Sequence, residues 1–208
     1  SGDSANNLFG WSVSLTADKQ LVAVGAPRLE GSSDSGYVQM YSLVSQSWTP
    51  YGARLGLGVP GDRFGFSVSS SGGSDGMPYR IAIGAPGMNT NGDGSGLASV
   101  YEYSENGWAQ TGDDLVGQSE GDNLGYAVSL TKNGSHLVVG IPNKKLDGIP
   151  VGQLRVANVK SGSITNAGDV YGLEGEQFGV SVSISNEGKL IFGGAPEANL
   201  VRAYGGVI

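Results

Sequence analysis

The sequence has 208 residues and no cysteine. Disulfides, thiolate zinc sites and cysteine nucleophiles are excluded together. The compartment is not fixed by this, because a chain of this size can bury a core without bridges. A single histidine, His136, leaves a Ser-His-Asp triad or a common zinc site without parts. No apolar run approaches the roughly 20 residues of a membrane span, and no window reads as a long amphipathic helix. Nothing reads as a signal peptide, and the chain opens inside a repeat phrase, as a mature product or a fragment would. Charge is sparse at 15%, with a net value of −7. That balance argues against nucleic acid, which needs a basic face, and against a polybasic membrane patch. It is compatible with divalent cations and with plain solubility.

Glycine is abundant, at 37 residues. Short apolar runs broken by Gly, Ser, Asn and Asp point to all-β structure with many turns. One phrase recurs. "FGWSVSLTADKQLVAVGAP", Phe9–Pro27, is written again at Phe64–Pro86, Leu124–Pro142 and Phe178–Pro196. Its first glycine falls at Gly10, Gly65, Gly125 and Gly179, and its later one at Gly25, Gly84, Gly140 and Gly194. The spacing is that of propellers and arrays. The units are 1–57, 58–117, 118–173 and 174–208, read as one domain.

Each unit reads as a four-stranded meander. The first strand alternates large with small residues: Trp11, Val13 and Leu15 against Ser12 and Ser14. Its large face is expected to be buried between sheets in every unit. The second strand is apolar on both faces (Leu21–Val24, Ile81–Ile83, Leu137–Val139, Leu190–Phe192), as a strand between layers must be. The third follows a turn residue: Gly36, Gly96, Gly152 or Asn199. The fourth is "SWTPYGARLGLG", echoed by "GWAQTGDDLVGQ" and "SITNAGDVYGLE", with Trp48 and Trp108 as outer packing residues. About fifteen strands are expected, three full units and three strands of the last.

"FG…GAP" in the first two units resembles the FG-GAP repeat of integrin α-subunit propellers, in a short-turn form. The likeness runs over essentially the whole chain, although the third unit has Gly-Ile-Pro. It implies a β-propeller of four repeats in an extracellular or cell-surface setting, and no single activity. The calcium loops of integrin repeats are not carried over. The turns here hold only Asp18, Asp75 or Glu187, whereas calcium takes six to eight oxygens.

Candidate chemistry is weighed residue by residue. His136 stands where other units have Gln20, Arg80 and Lys189, a polar strand end. Asp3, Asp62, Asp122 and Glu176 recur before the Phe-Gly pair, which suits turn residues bonding backbone N–H groups better than a glycosidase pair. The loops after the second strands carry Asp34, Asp93 and Asp147. Asn89, Asn91 and Asp93 form the best candidate cation site, with calcium as the ion. Asn133-Gly134-Ser135 is an N-glycosylation sequon and a type I′ turn signal.

The leading functional reading is a non-enzymatic extracellular structural or adhesion module. A carbohydrate- or ligand-binding propeller and an accessory propeller of a larger secreted enzyme are the alternatives. Nothing after Tyr204 supplies an outer strand to the last unit. Its third strand is therefore expected to be an open edge, completed by a neighbouring chain or by chain beyond this segment. Head-to-tail completion would build a filament or surface polymer.

Overall fold

The computed structural model describes residues 7–28, 35–73 and 76–206. It is all-β apart from one 3-10 turn, Pro196–Ala198, among the described residues. Sheet I runs β1 (Ser12–Leu15), β2 (Leu21–Ala26), β3 (Tyr37–Val44), β4 (Ser47–Pro50). Sheet II runs β5 (Ser67–Ser71), β6 (Arg80–Ala85), β7 (Leu97–Ser104), β8 (Gly107–Gln110), with the short β9 (Leu115–Val116) also on β7. In sheet III, β10 (Ala127–Leu130), β11 (His136–Ile141), β14 (Gln153–Lys160) and β15 (Ser163–Tyr171) pair in that order. A hairpin of β12 (Lys145–Leu146) and β13 (Ile149–Pro150) projects from it. Sheet IV has three strands, β16 (Val182–Ile184), β17 (Leu190–Ala195) and β18 (Leu200–Gly205). Every strand pairing is antiparallel, and no sheet closes on itself. The expected fifteen strands are present; the three two-residue strands β9, β12 and β13 are additional.

The first turns of sheets I and III are closed by side chains rather than by a type I′ pair. In sheet III the Gly134 N–H bonds Thr131 O, and only Gly134 of the Asn-Gly pair lies at positive φ. Asn133 Oδ1 instead accepts the Thr131 hydroxyl and the Ser135 N–H. Sheet I repeats this with Asp18 Oδ1, the Thr16 hydroxyl and the Gln20 N–H. There the left-handed residue is Lys19, at φ 63°.

Three apolar layers lie between successive sheets. Ala23, Val38 and Met40 meet Ile81, Ile83 and Leu97 between I and II. Ala82, Ala98 and Val100 meet Val128, Leu137 and Val139 between II and III. Val138, Leu154 and Val156 meet Ile184, Ile191 and Ala195 between III and IV. Phe64, Leu124 and Phe178 are fully buried, each just after a residue in the left-handed region (Arg63, Asn123, Gln177).

Toward the first strands the sheets are joined by backbone. A Cβ on Gly25, Gly84 or Gly140 would overlap the carbonyl oxygen of Gly65, Gly125 or Gly179 in the next sheet. Only glycine admits that approach. Serines complete the joint. Ser12 Oγ donates to Gly65 O at 2.7 Å and Ser67 Oγ to Gly125 O at 2.8 Å. Ser14, Ser69 and Ser129 accept the N–H of Ser70, Leu130 and Ile184. The small face of the alternation is thus a bonding face, and the Phe-Gly…Gly-Ala-Pro phrase spells a plug and a socket.

The expected burial of Trp11, Val13 and Leu15 is corrected: they are 52%, 64% and 50% exposed. Of their counterparts, which have a preceding sheet, Val128, Leu130 and Ile184 are buried, whereas Phe66, Val68, Tyr126, Val180 and Val182 are only half-buried. At the other end Leu190 and Phe192 are exposed although their strand reads as apolar on both faces. Trp48 is also exposed, whereas Trp108 packs on Tyr103.

Candidate functional site

Two features of the array are left unsatisfied: an edge and a pair of faces. The edge belongs to β18. In sheets I to III the third strand is covered by an outer one, but among the described residues no strand pairs with the outer side of β18. The Gly206 N–H turns inward to Lys189 O. By alternation the N–H groups of Val201, Ala203 and Gly205 face outward. A row of unpaired N–H and C=O groups is a template for another strand.

The faces belong to the outermost sheets. On sheet I, Trp11, Val13 and Leu15 form an exposed apolar strip. Phe9 packs on Tyr37 and Tyr41 but stays half-buried, unlike Phe64 and Phe178. On sheet IV, Leu190, Phe192 and Val201 are exposed. Beside them a cleft of about 380 Å³ is lined by Ser181, Gly194, Asn199 and Val201, among others.

The recurring acids hold loops together. Asp62 Oδ1 accepts the Gly36 and Phe64 N–H groups; its buried second oxygen has no partner among the described residues, and burial raises its pKa. Asp122 Oδ2 accepts the Gln118 and Ser119 N–H groups and the Lys144 ammonium. Glu176 accepts the Leu173 N–H and pairs with Arg202, whose hydrogen bond lowers its pKa. Asp3, Asp34 and Asp75 lie outside the described residues.

His136 opens β11 half-buried, with Nδ1 2.8 Å from Ser135 Oγ, and burial lowers its pKa. In the candidate cation loop, Asn89 Oδ1 accepts the Gly94 N–H and Asn91 Nδ2 donates to Gly117 O. Two of the three proposed ligands are therefore engaged in shaping the loop. Among the described residues no group of three His, Cys, Asp or Glu side chains is placed to hold a metal ion. Asn133 is exposed, with Oδ1 accepting the Ser135 hydroxyl. No described helix is long and apolar enough to cross a membrane.

The serine–carbonyl joints and the two bare faces were not read from sequence. Their signal was present in the serine four residues after every Phe-Gly glycine and the serine two residues after it in three of the four units, Ala127 taking that place in the third.

No family model and no curated protein matches the chain. Among solved structures it is similar to a Bacteroides uniformis protein named, as a provisional assignment, 6-phosphogluconolactonase. The TM-score is 0.59 at 10% identity, over 93% of this chain and 49% of that one. The likeness is one of fold, and this chain spans about half the length of that structure.

Proposed function

We propose that the four sheets are consecutive blades of a propeller-type array of FG-GAP-like repeats, and that the chain is a non-enzymatic extracellular module for protein–protein assembly. The observation that carries the assembly reading is the bare outer edge of β18 on a sheet one strand short of its neighbours. An added strand would give that sheet the four-stranded form of the others. The three recurring acids within the described residues, Asp62, Asp122 and Glu176, support a structural role, since each is engaged with backbone N–H groups. The exposed Asn133 turn is accessible to a glycan, in keeping with the extracellular reading.

The test uses a labelled synthetic peptide of residues 106–117, the outer-strand segment of sheet II, as the probe. Fluorescence anisotropy should show it binding the 208-residue chain and not the Ala203→Pro variant. Proline there removes an outward N–H while leaving the β17 ladder, as edge strands tolerate. Absence of binding, or equal binding to the variant with an unchanged melting curve, refutes the edge as an acceptor.

A further inference from the structure

The three joints inside the molecule share one construction. At each, a glycine of the second strand leaves room for the carbonyl of the next sheet's Phe-Gly glycine. Where the sequence retains them, serines two and four residues after the Phe-Gly glycine bond the next first strand. The described residues leave one half of this joint unused at each end of the array. On sheet IV, Gly194 has Ser181 Oγ beside it, as Gly25 has Ser12 Oγ and Gly84 has Ser67 Oγ, but no carbonyl from a following sheet. That position opens into the cleft of about 380 Å³. On sheet I, Gly10 has the positive φ of its counterparts, at 93°, yet a Cβ there would meet nothing within 4 Å. Among the described residues the plug at Gly10 is unplaced, and the socket at Gly194 is empty of one.

We infer that a second copy of this chain covers these faces head to tail, its Gly10 turn seated against Gly194. This extends the assembly reading, on which it rests, from the β18 edge to the end faces. Ser181 then donates to Gly10 O of the second copy, as Ser12 donates to Gly65 O. Ser183 accepts the Leu15 N–H, as Ser14 accepts that of Ser70. The exposed strip of Val13 and Leu15 meets Phe192 and Val201, as Val128 and Leu130 lie in the layer with Ala82 and Val100. The contact is heterologous, so two copies can close only if two joints form at once.

One position departs from the pattern and sets the strength. Gly36, Gly96 and Gly152 touch the backbone of Phe64, Leu124 and Phe178 across the internal joints. The equivalent residue of sheet IV is Asn199, at φ 53°. Its side chain holds the outer part of the new joint open, so the association is reversible where the internal joints are permanent.

Light scattering after size exclusion, over a dilution series, tests this on the 208-residue chain. The mass should rise from 21.2 kDa to a plateau at two copies. Val13→Glu spoils the plug face and Val201→Glu the socket face; both side chains are exposed, so folding is retained. Each variant alone should stay monomeric. Their equimolar mixture should regain an open dimer, weaker than the closed wild-type pair, because one intact plug meets one intact socket. Asn199→Gly should strengthen dimerisation severalfold. A wild-type chain monomeric throughout overturns the inference, as does a mixture that stays monomeric or association that neither charge weakens. Ala203→Pro separates the two ideas: it blocks the peptide at β18 while leaving the plug and socket in place.

Discussion

Replacing Gly84 by alanine puts one carbon into the joint between sheets II and III. The new Cβ overlaps the Gly125 carbonyl oxygen, and real Cβ contacts of that kind need at least 3.0 Å. The obstacle is backbone fixed by the β10–β11 ladder, so it cannot swing aside. The sheets must part by about 1 Å. Parting strains the Ser67–Gly125 hydrogen bond of 2.8 Å, a net loss of about 1 kcal/mol. It also loosens the layer holding Ala82, Val100 and Val139, with an overpacking cost of about 1–3 kcal/mol. The expected total is about 2–4 kcal/mol. Gly194→Ala is the control. Its Cβ meets only the rotatable Ser181 hydroxyl, so in dilute, monomeric protein its effect stays within about 0.5–1 kcal/mol of neutral. Urea unfolding of both variants, compared at equal m, measures the difference. Equal costs at the two positions would refute the plug-and-socket account of the Gly-Ala-Pro phrase.

Other outcomes follow from single sites. Val128→Asp buries an unpaired carboxylate in the layer between sheets II and III and should cost about 3–5 kcal/mol; an unchanged melting temperature would contradict the strand's facing. Lys19→Gly should stabilise by about 0.5–1 kcal/mol, because Lys19 sits in the left-handed region where sheets III and IV use Gly134 and Gly188; a loss in thermal unfolding would count against this. The Tyr79 hydroxyl donates to Asp18 across sheets I and II. The carboxylate beside it raises the Tyr79 pKa to about 12 from 10.0. Burial pushes Asp18 up, but its hydrogen bonds from Thr16, Tyr79 and the Gln20 N–H bring the net value below 3.8. Stability from Tyr79 is therefore full below pH 10 and lost as pH rises toward about 12. Stability from Asp18 is present above its unfolded value and lost as pH falls through its lowered one. Tyr79→Phe should flatten the alkaline limb of a stability–pH curve, and an unaltered limb would remove the link.

The meanders were legible because a strand's period of two and its turns are local properties. Ser12 to Leu15 alternates, Thr16 to Gln20 turns, and Leu21 begins an apolar run. Periodicity names a face but not what lies against it. That is why Trp11 reads like Phe66 and Tyr126, yet stands exposed at the end of the row. Ser12 and Ser14 read as small residues suited to crowding. Their bonds run to Gly65 and Ser70, more than fifty residues away, and need the packed array to exist. The Asn133 turn was legible as a turn but not by type, because Thr131 and Ser135 side chains close it. In the Asn89–Asp93 loop, sequence supplied the oxygens but could not show that Asn89 Oδ1 accepts the Gly94 N–H.

The joints also set a curvature. Near the first strands, neighbouring sheets are held at hydrogen-bond range by serine and glycine. Farther out, Phe64 and Phe178 fill the same gap with whole aromatic rings. On the propeller reading proposed above, a narrow spacing on one side and a wide one on the other would make each sheet a sector, with an opening angle set by the ratio of side-chain volumes. Larger residues in the serine row would straighten the array, and smaller ones in the phenylalanine row would flatten the sectors. On that reading, the number of sectors in a full turn would be a quantity that mutation adjusts in steps of a few methyl groups.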